Sequence, residues 1–310
     1  MKADVACSLG SLLLKNPIMP ASGCYDWYPS SDEIHPDEFG AIVLKSVTLY
    51  PRTGNPPPRI AETPQGMLNA IGIPSDGAKV FIHDVRAKWS KVSVPVIASI
   101  SAASPQEYAE IAALLDKEPA IAALEINLSC PNLHHNITPA QDPELLKECL
   151  SAVRQATTKV IIAKLSPNVT SIAKMAAICE AEKADAISLI NTVRGMVIDI
   201  HDRRPLLGNR YGGLSGPAIK PIAVAMVYEV YSAVNIPIVG VGGICQTEDA
   251  LEFFLAGASA VQIGSGLFRN PHAIRVVLAG IEHYLTINGF SSIQELIGLA
   301  QPARMKKFRK

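Results

Sequence analysis

Val239-Gly-Val-Gly-Gly243, running on into Ile244-Cys-Gln-Thr-Glu-Asp249, and then Gln262-Ile-Gly-Ser-Gly266 are the stretches that decide the fold. Each is a short apolar run that ends in glycines. Backbone N–H groups at such tips can approach an anion with no side chain in the way, and the N-terminus of the helical pattern opening near Thr247 adds partial positive charge. Glycines also make tight turns, and either cluster alone carries little. Two of them, at the last two strands of a repeating strand–helix chain, read as the phosphate grip of a (β/α)8 barrel.

Working outward, the same kind of run recurs. Candidate strands are Pro17–Gly23, Ala41–Thr48, Val94–Ser101, Ala123–Ser129, Val160–Pro167, Ala186–Thr192, Ile236–Gly243 and Ala260–Gly266. They lack clean alternation, as strands buried on both faces should. Helical patterns lie between them. One opens at Ser104-Pro-Gln-Glu107 with an N-cap, a proline in the first turn and a capping-box glutamate. Others are Asp142-Pro-Glu144 onward, Thr170–Lys183, Pro217–Val234, Thr247–Ala258 and Pro271–Leu285. Eight such units in about 250 residues match an α/β TIM barrel, and the competing architecture is a doubly wound open sheet. Residues 4–16 predict a hairpin turning at Gly10 that plugs the barrel floor. The long connections 49–93 and 193–235 both follow strands, which places them on the C-terminal face. No linker-like stretch divides the chain, so residues 1–310 read as a single domain.

Composition narrows the partners. Lys+Arg and Asp+Glu balance at 28 each, so no global field draws nucleic acid or an anionic membrane. The basic stretch Arg304–Lys310 reads as a solvated tail. No apolar run approaches the ~18 residues of a membrane span, and no basic-then-apolar leader is visible. The six cysteines show no CxxC pair, which points to a reducing cytoplasm and away from a disulfide framework, a zinc site or an iron–sulfur site.

Three sets of residues carry chemistry. Cys130, in Glu125-Ile-Asn-Leu-Ser-Cys-Pro-Asn132, falls where a buried strand should end, between Asn127 and Asn132. A thiolate there can act as nucleophile, metal ligand or proton acceptor. Free cysteine is more often a small buried hydrophobe, as Cys149 and Cys179 in helical patterns should be. Cys24 and Cys245 also lie near strand tips but lack flanking asparagines. His134 and His135 read as solvated loop residues. Lys45 and Lys164 sit inside apolar strands, where an ammonium needs negative charge to face unless its head reaches water. Asn69, Asn127, Asn132, Asn191 and Thr192 cluster at strand tips and loops. Their donors and acceptors suit a flat ring with alternating C=O and N–H groups.

These residues, together with Asn16-Pro-Ile-Met-Pro-Ala-Ser-Gly23, Gly54-Asn-Pro-Pro-Pro-Arg59, Met67-Leu-Asn-Ala-Ile-Gly72, Lys164-Leu-Ser-Pro-Asn168 and Gly212-Gly-Leu-Ser-Gly-Pro-Ala-Ile-Lys-Pro221, resemble the class 1 dihydroorotate dehydrogenases. The chain is most similar to the catalytic subunit of the NAD-linked subclass, over residues 5–268. The resemblance implies FMN across the barrel mouth. Its phosphate would rest on Gly216, Gly242, Gly243, Gly264 and Ser265, and its ring on Ala21, Ser22, Ser46, Ser99 and Ile190. Lys164 would stand at the pyrimidine edge. Dihydroorotate would be held by Lys45, Asn69, Ala70, Ile71, Gly72, Ile73, Asn127, Asn132, Asn191 and Thr192, with Cys130 as the base at C5 and a lid over Asn132–Gln141. Lys45 and Asn127 would also touch the flavin.

The resemblance further implies a homodimer and a partner subunit carrying FAD and [2Fe–2S], together a heterotetramer, with no metal in this chain. Three features depart from the family pattern. Ser99 stands where an Asn is usual, Leu133–Gln141 lacks a glycine pair, and Ser46 is the residue of the fumarate-linked relatives. The alternatives are therefore a fumarate-linked enzyme, a related dihydropyrimidine-oxidising flavoenzyme and, from another class, a non-redox isomerase or aldolase that binds a sugar phosphate.

Overall fold

The computed structural model describes residues 3–25, 34–129 and 138–302. Cys130, Asn132, His134 and His135 lie outside the described residues.

Eight strands form one parallel sheet: β1 (Ile18–Pro20), β2 (Ile42–Val43), β3 (Val96–Ile100), β4 (Ala123–Asn127), β5 (Val160–Lys164), β6 (Ala186–Leu189), β7 (Ile238–Val241) and β8 (Ala260–Ile263). Their order is β1-β8-β7-β6-β5-β4-β3-β2, so the first two barrel strands are the two ends of the sheet. They meet at a seam. The Gly40 N–H donates to the Ile18 carbonyl at 2.9 Å, which nearly closes the barrel. Asn16 supports the seam from below: its Nδ2 donates to the Glu38 carbonyl at 2.9 Å and its Oδ1 accepts from the Ile18 N–H at 3.1 Å. A Cβ on Gly40 would lie 1.9 Å from the Asn16 carbonyl oxygen, so only glycine permits this approach.

Regular pairing in β1 and β2 is shorter than the sequence predicts. Beyond Val43 the chain still follows β3, with Leu44 N–H on the Ile97 carbonyl and Val47 N–H on the Ser99 carbonyl, each at 2.9 Å.

The strands serve two cores. Leu124, Ile126, Ile161, Ala163, Ile238 and Val261 pack outward against the helices. Ala123, Val160, Ile162, Val239 and Ala260 pack inward. Both faces are buried, which is why the runs show no hydrophobic alternation. The helices are α1 (Ala78–Lys88), α2 (Pro105–Asp116), α3 (Pro143–Ala156), α4 (Ile172–Ala181), α5 (Lys220–Tyr231), α6 (Thr247–Ala256), α7 (Gly266–Arg269) and α8 (Ala273–Ile287). Ser104 caps α2 through the Glu107 N–H at 3.2 Å, and Asp142 caps α3 through Glu144 and Leu145 at 3.0 and 3.1 Å. Glu107 reaches past the cap residue to the Ala103 N–H at 3.0 Å. No helix among the described residues is long and apolar enough to cross a membrane.

The hairpin predicted over 4–16 forms from Cys7–Leu9 and Leu12–Leu14, turning at Gly10 with φ 59°. Cys7, Leu9, Leu12 and Leu14 point into the barrel and join its inner core. The two long connections do more than decorate the top. Ile60–Thr63 and Gly66–Asn69 from the first pair with Gly212–Ser215 and Val193–Gly195 from the second, giving a four-stranded antiparallel sheet.

Leu14 is 1% exposed and Leu13, its neighbour on the other face of the hairpin, is 76% exposed. Leu14→Ala should cost about 2–5 kcal/mol by cavity formation. Leu13→Ala should stay within about 0.5 kcal/mol. Chemical denaturation of the two variants checks this, and equal losses would place the plug elsewhere.

Candidate active site

A cavity of ≈ 1750 Å³ opens at the C-terminal ends of the strands and runs beneath the insertion sheet. Small-molecule sites are commonly about 300–1,000 Å³, so the space exceeds what one small ligand needs. The structure brings together every sequence-predicted site residue it describes, with one exception. Ala21, Ser22, Lys45, Ser46, Asn127, Lys164 and Ile190 line the floor and near wall. Asn69, Ala70, Ile71, Gly72, Ile73, Asn191 and Thr192 line the side beneath the insertions, and Gly216, Gly242, Gly243, Gly264 and Ser265 line the far end. Ser99 does not reach the cavity. It is fully buried behind Ser46, its Oγ 2.8 Å from the Ser46 Oγ. A serine is too short to extend past that hydroxyl.

The floor of the cavity is the top of the barrel interior. Inward positions on four strands place Glu125, Lys164, Ser188 and Gln262 together. Lys164 Nζ donates to Glu125 Oε1 at 3.2 Å and lies 3.5 Å from Gln262 Oε1. The other carboxylate oxygen accepts from Gln262 Nε2 at 2.7 Å and from Ser188 Oγ at 3.3 Å. Glu125 was missed in the sequence although the signal was there: it is a charge within an apolar strand, the criterion that singled out both lysines.

A chain of hydroxyls and amides runs round one wall. Ser46 Oγ meets Ser22 Oγ at 3.4 Å and accepts from Asn127 Nδ2 at 3.3 Å. Asn127 Oδ1 accepts from Asn191 Nδ2 at 3.2 Å, and Asn191 Oδ1 accepts from the Thr192 N–H at 2.8 Å. The amide orientations are thereby fixed before any ligand arrives. Asn168, from the motif that follows Lys164, ties two loops together by donating to the Thr192 carbonyl at 3.2 Å and accepting from the Arg194 N–H at 3.0 Å. Of the expected lid, residues 138–141 are described. Pro139–Gln141 forms a 3-10 turn, and Gln141 Nε2 donates to the Asn168 carbonyl at 3.0 Å.

At the far end the backbone supplies the grip. Gly216, Gly242 and Gly243 have φ of 100°, 138° and 74°, and a Cβ on Gly243 would fall 2.7 Å from the Lys220 Cβ. A Cβ on Gly264 would meet only Ala21, at 3.6 Å, so its backbone faces open space. This is a cradle shaped for an anion by N–H groups. The N-terminus of α6 carries a cap of its own. Its Cys245 and Gln246 N–H groups are taken by Asp249 Oδ2 at 2.9 and 3.0 Å. Lys220 is likewise committed, to Asp249 at 2.8 Å and Glu252 at 2.6 Å.

Burial disqualifies most of the described thiols as thiolates. It pushes Cys7 and Cys149 up to about 12 and raises Cys179 as well, as the sequence suggested for the two helical cysteines. Cys245 is raised by burial and by the Asp249 carboxylate. Cys24 lines the cavity.

The model of the family described as "Dihydroorotate dehydrogenase" matches residues 5–285. The chain belongs to the dihydroorotate dehydrogenase family. It is 47% identical over 299 residues to "Dihydroorotate dehydrogenase B (NAD(+)), catalytic subunit" of Geotalea daltonii, covering 96% of this chain and 98% of that one. Relatives with the same name from Trichlorobacter lovleyi and Desulforudis audaxviator are 48% and 47% identical, covering 96% and 97% of this chain and 99% and 98% of theirs. These matches support the expected family and subclass, and the strand order above gives the expected barrel.

Alkylation of the native protein at neutral pH, read by peptide mass spectrometry, should leave Cys149 and Cys179 unmodified until denaturant is added. Prompt labelling of either would contradict its burial.

Proposed function

We infer that this chain oxidises dihydroorotate to orotate in pyrimidine biosynthesis, with FMN as its bound cofactor. The observation that carries this reading is a single cavity with a glycine cradle at one end, a paired lysine on its floor and a fixed array of amides along its wall. The residues fit the cofactor. Gly216, Gly242, Gly243, Gly264 and Ser265 would hold the phosphate, and Ala21, Ser22, Ser46 and Ile190 the ring. FMN, when bound, takes up the hydride that leaves C6 of the substrate.

The remaining work falls to the chain. Lys164 places positive charge at the floor, where negative charge develops, and the low-dielectric surroundings strengthen it. Lys45 and the backbone of Ala70–Ile73 would hold the substrate carboxylate, and Asn69, Asn127, Asn132, Asn191 and Thr192 its ring amides. Cys130, the residue after cavity-lining Ser129, removes the C5 proton at Sγ. An unperturbed thiol near 8.5 has to be poised by its surroundings for that step.

The relatives' name, a catalytic subunit linked to NAD(+), supports transfer of electrons to a separate subunit; by the family resemblance that subunit would carry FAD and [2Fe–2S]. The smallest assembly is then a homodimer of this chain joined to two such partners, in the cytoplasm. The name favours NAD over fumarate as the final acceptor, although Ser46 matches the fumarate-linked pattern. Co-expression with a partner that confers NAD reduction, together with no fumarate reduction by the chain alone, is the expected result; the reverse would move the chain to the fumarate-linked group.

Cys130→Ala should keep its flavin and lose about 10²–10⁴-fold in turnover with dihydroorotate. Near-normal turnover would remove Cys130 from its role. Dihydrouracil turnover without dihydroorotate turnover would reassign the substrate.

A further inference from the structure

We propose that Glu125 is a positioning residue that holds the Lys164 ammonium in place and aims it at the cofactor. This deepens the reading above and rests on it. Glu125 is 0% exposed and does not line the cavity, whereas Lys164, 6% exposed, does. Glu125 therefore cannot touch a ligand, and whatever it contributes passes through the lysine.

The arrangement is one-directional. Both carboxylate oxygens face only donors: Lys164 Nζ at 3.2 Å on one, Gln262 Nε2 at 2.7 Å and Ser188 Oγ at 3.3 Å on the other. Three hydrogen bonds, from three different strands, fix where this carboxylate sits. Gln262 serves both charges, since its amide nitrogen donates to Glu125 while its oxygen lies 3.5 Å from Lys164. An ammonium has three N–H donors. Two are directed at Glu125 and Gln262, and the third is available to the cavity.

Stability does not account for this cluster. Replacing a buried ion pair with packed apolar side chains is often neutral or stabilising, and the lower barrel interior is filled in that apolar way by Leu9, Leu14, Ile162 and Val239. What the pair does supply is a lysine head held at one place on the cavity floor, since the carboxylate behind it fixes where Nζ sits. Without Glu125, negative charge arriving on the cofactor would meet a displaced amine.

The test is a potential, because loss of stability would follow from disrupting the pair for any reason. In Glu125→Gln the holoprotein should retain FMN, but the reduced cofactor should be bound at least tenfold more weakly relative to the oxidised one. A tenfold change corresponds to a fall of about 30 mV in the two-electron midpoint. Lys164→Met should show a comparable fall, and adding Glu125→Gln to it should produce no further change, since the carboxylate acts only through the lysine. Glu125→Asp keeps the charge but shortens its reach. It should show a smaller fall, and it is the variant to read if Glu125→Gln does not fold.

A flavin-bearing variant, Gln or Asp, with the wild-type midpoint overturns the proposal and leaves the FMN reading intact. So does a second fall of similar size in the Lys164→Met background. An unaltered chain that binds no flavin overturns both.

Discussion

Eight parallel strands enclose a column that has to be filled along its whole length, because voids inside a protein forfeit packing that nothing else replaces. In this chain the column is filled by two chemistries. The hairpin inserts Cys7, Leu9, Leu12 and Leu14 from below, and they meet Ala123, Val160, Ile162 and Ala260 from the strands. With the lower part made apolar by the plug, the same inward register higher on the strands presents Ser99, Glu125, Lys164, Ser188 and Gln262. The floor of the cavity is thus the last layer of the barrel interior, held in place by the layers beneath it.

That origin gives the site its rigidity. Glu125, Lys164, Ser188 and Gln262 belong to β4, β5, β6 and β8, strands locked by parallel ladders. The mouth is built differently, from two insertions far apart in sequence. Leu68 pairs with Leu214, and this register sets the height of Asn69 above the floor. Side chains on strands supply fixed charge, while glycine-rich backbone at the tips supplies N–H groups for an anion. A preorganised constellation of this kind stabilises developing charge without reorganising at the moment of reaction.

Much of this was legible in the sequence, for reasons that differ from residue to residue. The strands β3 to β8 declared themselves as apolar runs bounded by turn residues, and Lys45 and Lys164 stood out as charges inside such runs. Glu125 meets the same criterion, a charge within an apolar strand, but its pairing with Lys164 joins residues 39 positions apart and is visible only in the fold. Ser99 stands where the family pattern has Asn, and the structure puts it one layer back from the cavity, behind Ser46. The insertion sheet left no local trace. Gly212-Gly-Leu-Ser215 has little strand propensity and becomes a strand between Met67–Asn69 on one side and Val193–Gly195 on the other. The cap that Asp249 places on the Cys245 and Gln246 N–H groups before α6 forms only in three dimensions and left no separate mark in the sequence.

The central claim is that the cavity oxidises dihydroorotate by passing a hydride to a flavin. Stopped-flow absorbance of the purified chain, mixed anaerobically with dihydroorotate and followed at flavin wavelengths, tests it most directly. The account predicts a yellow protein that bleaches rapidly in a single turnover without any acceptor present. A colourless protein, or a yellow one whose flavin remains oxidised at saturating dihydroorotate both alone and with its partner subunit, would contradict it.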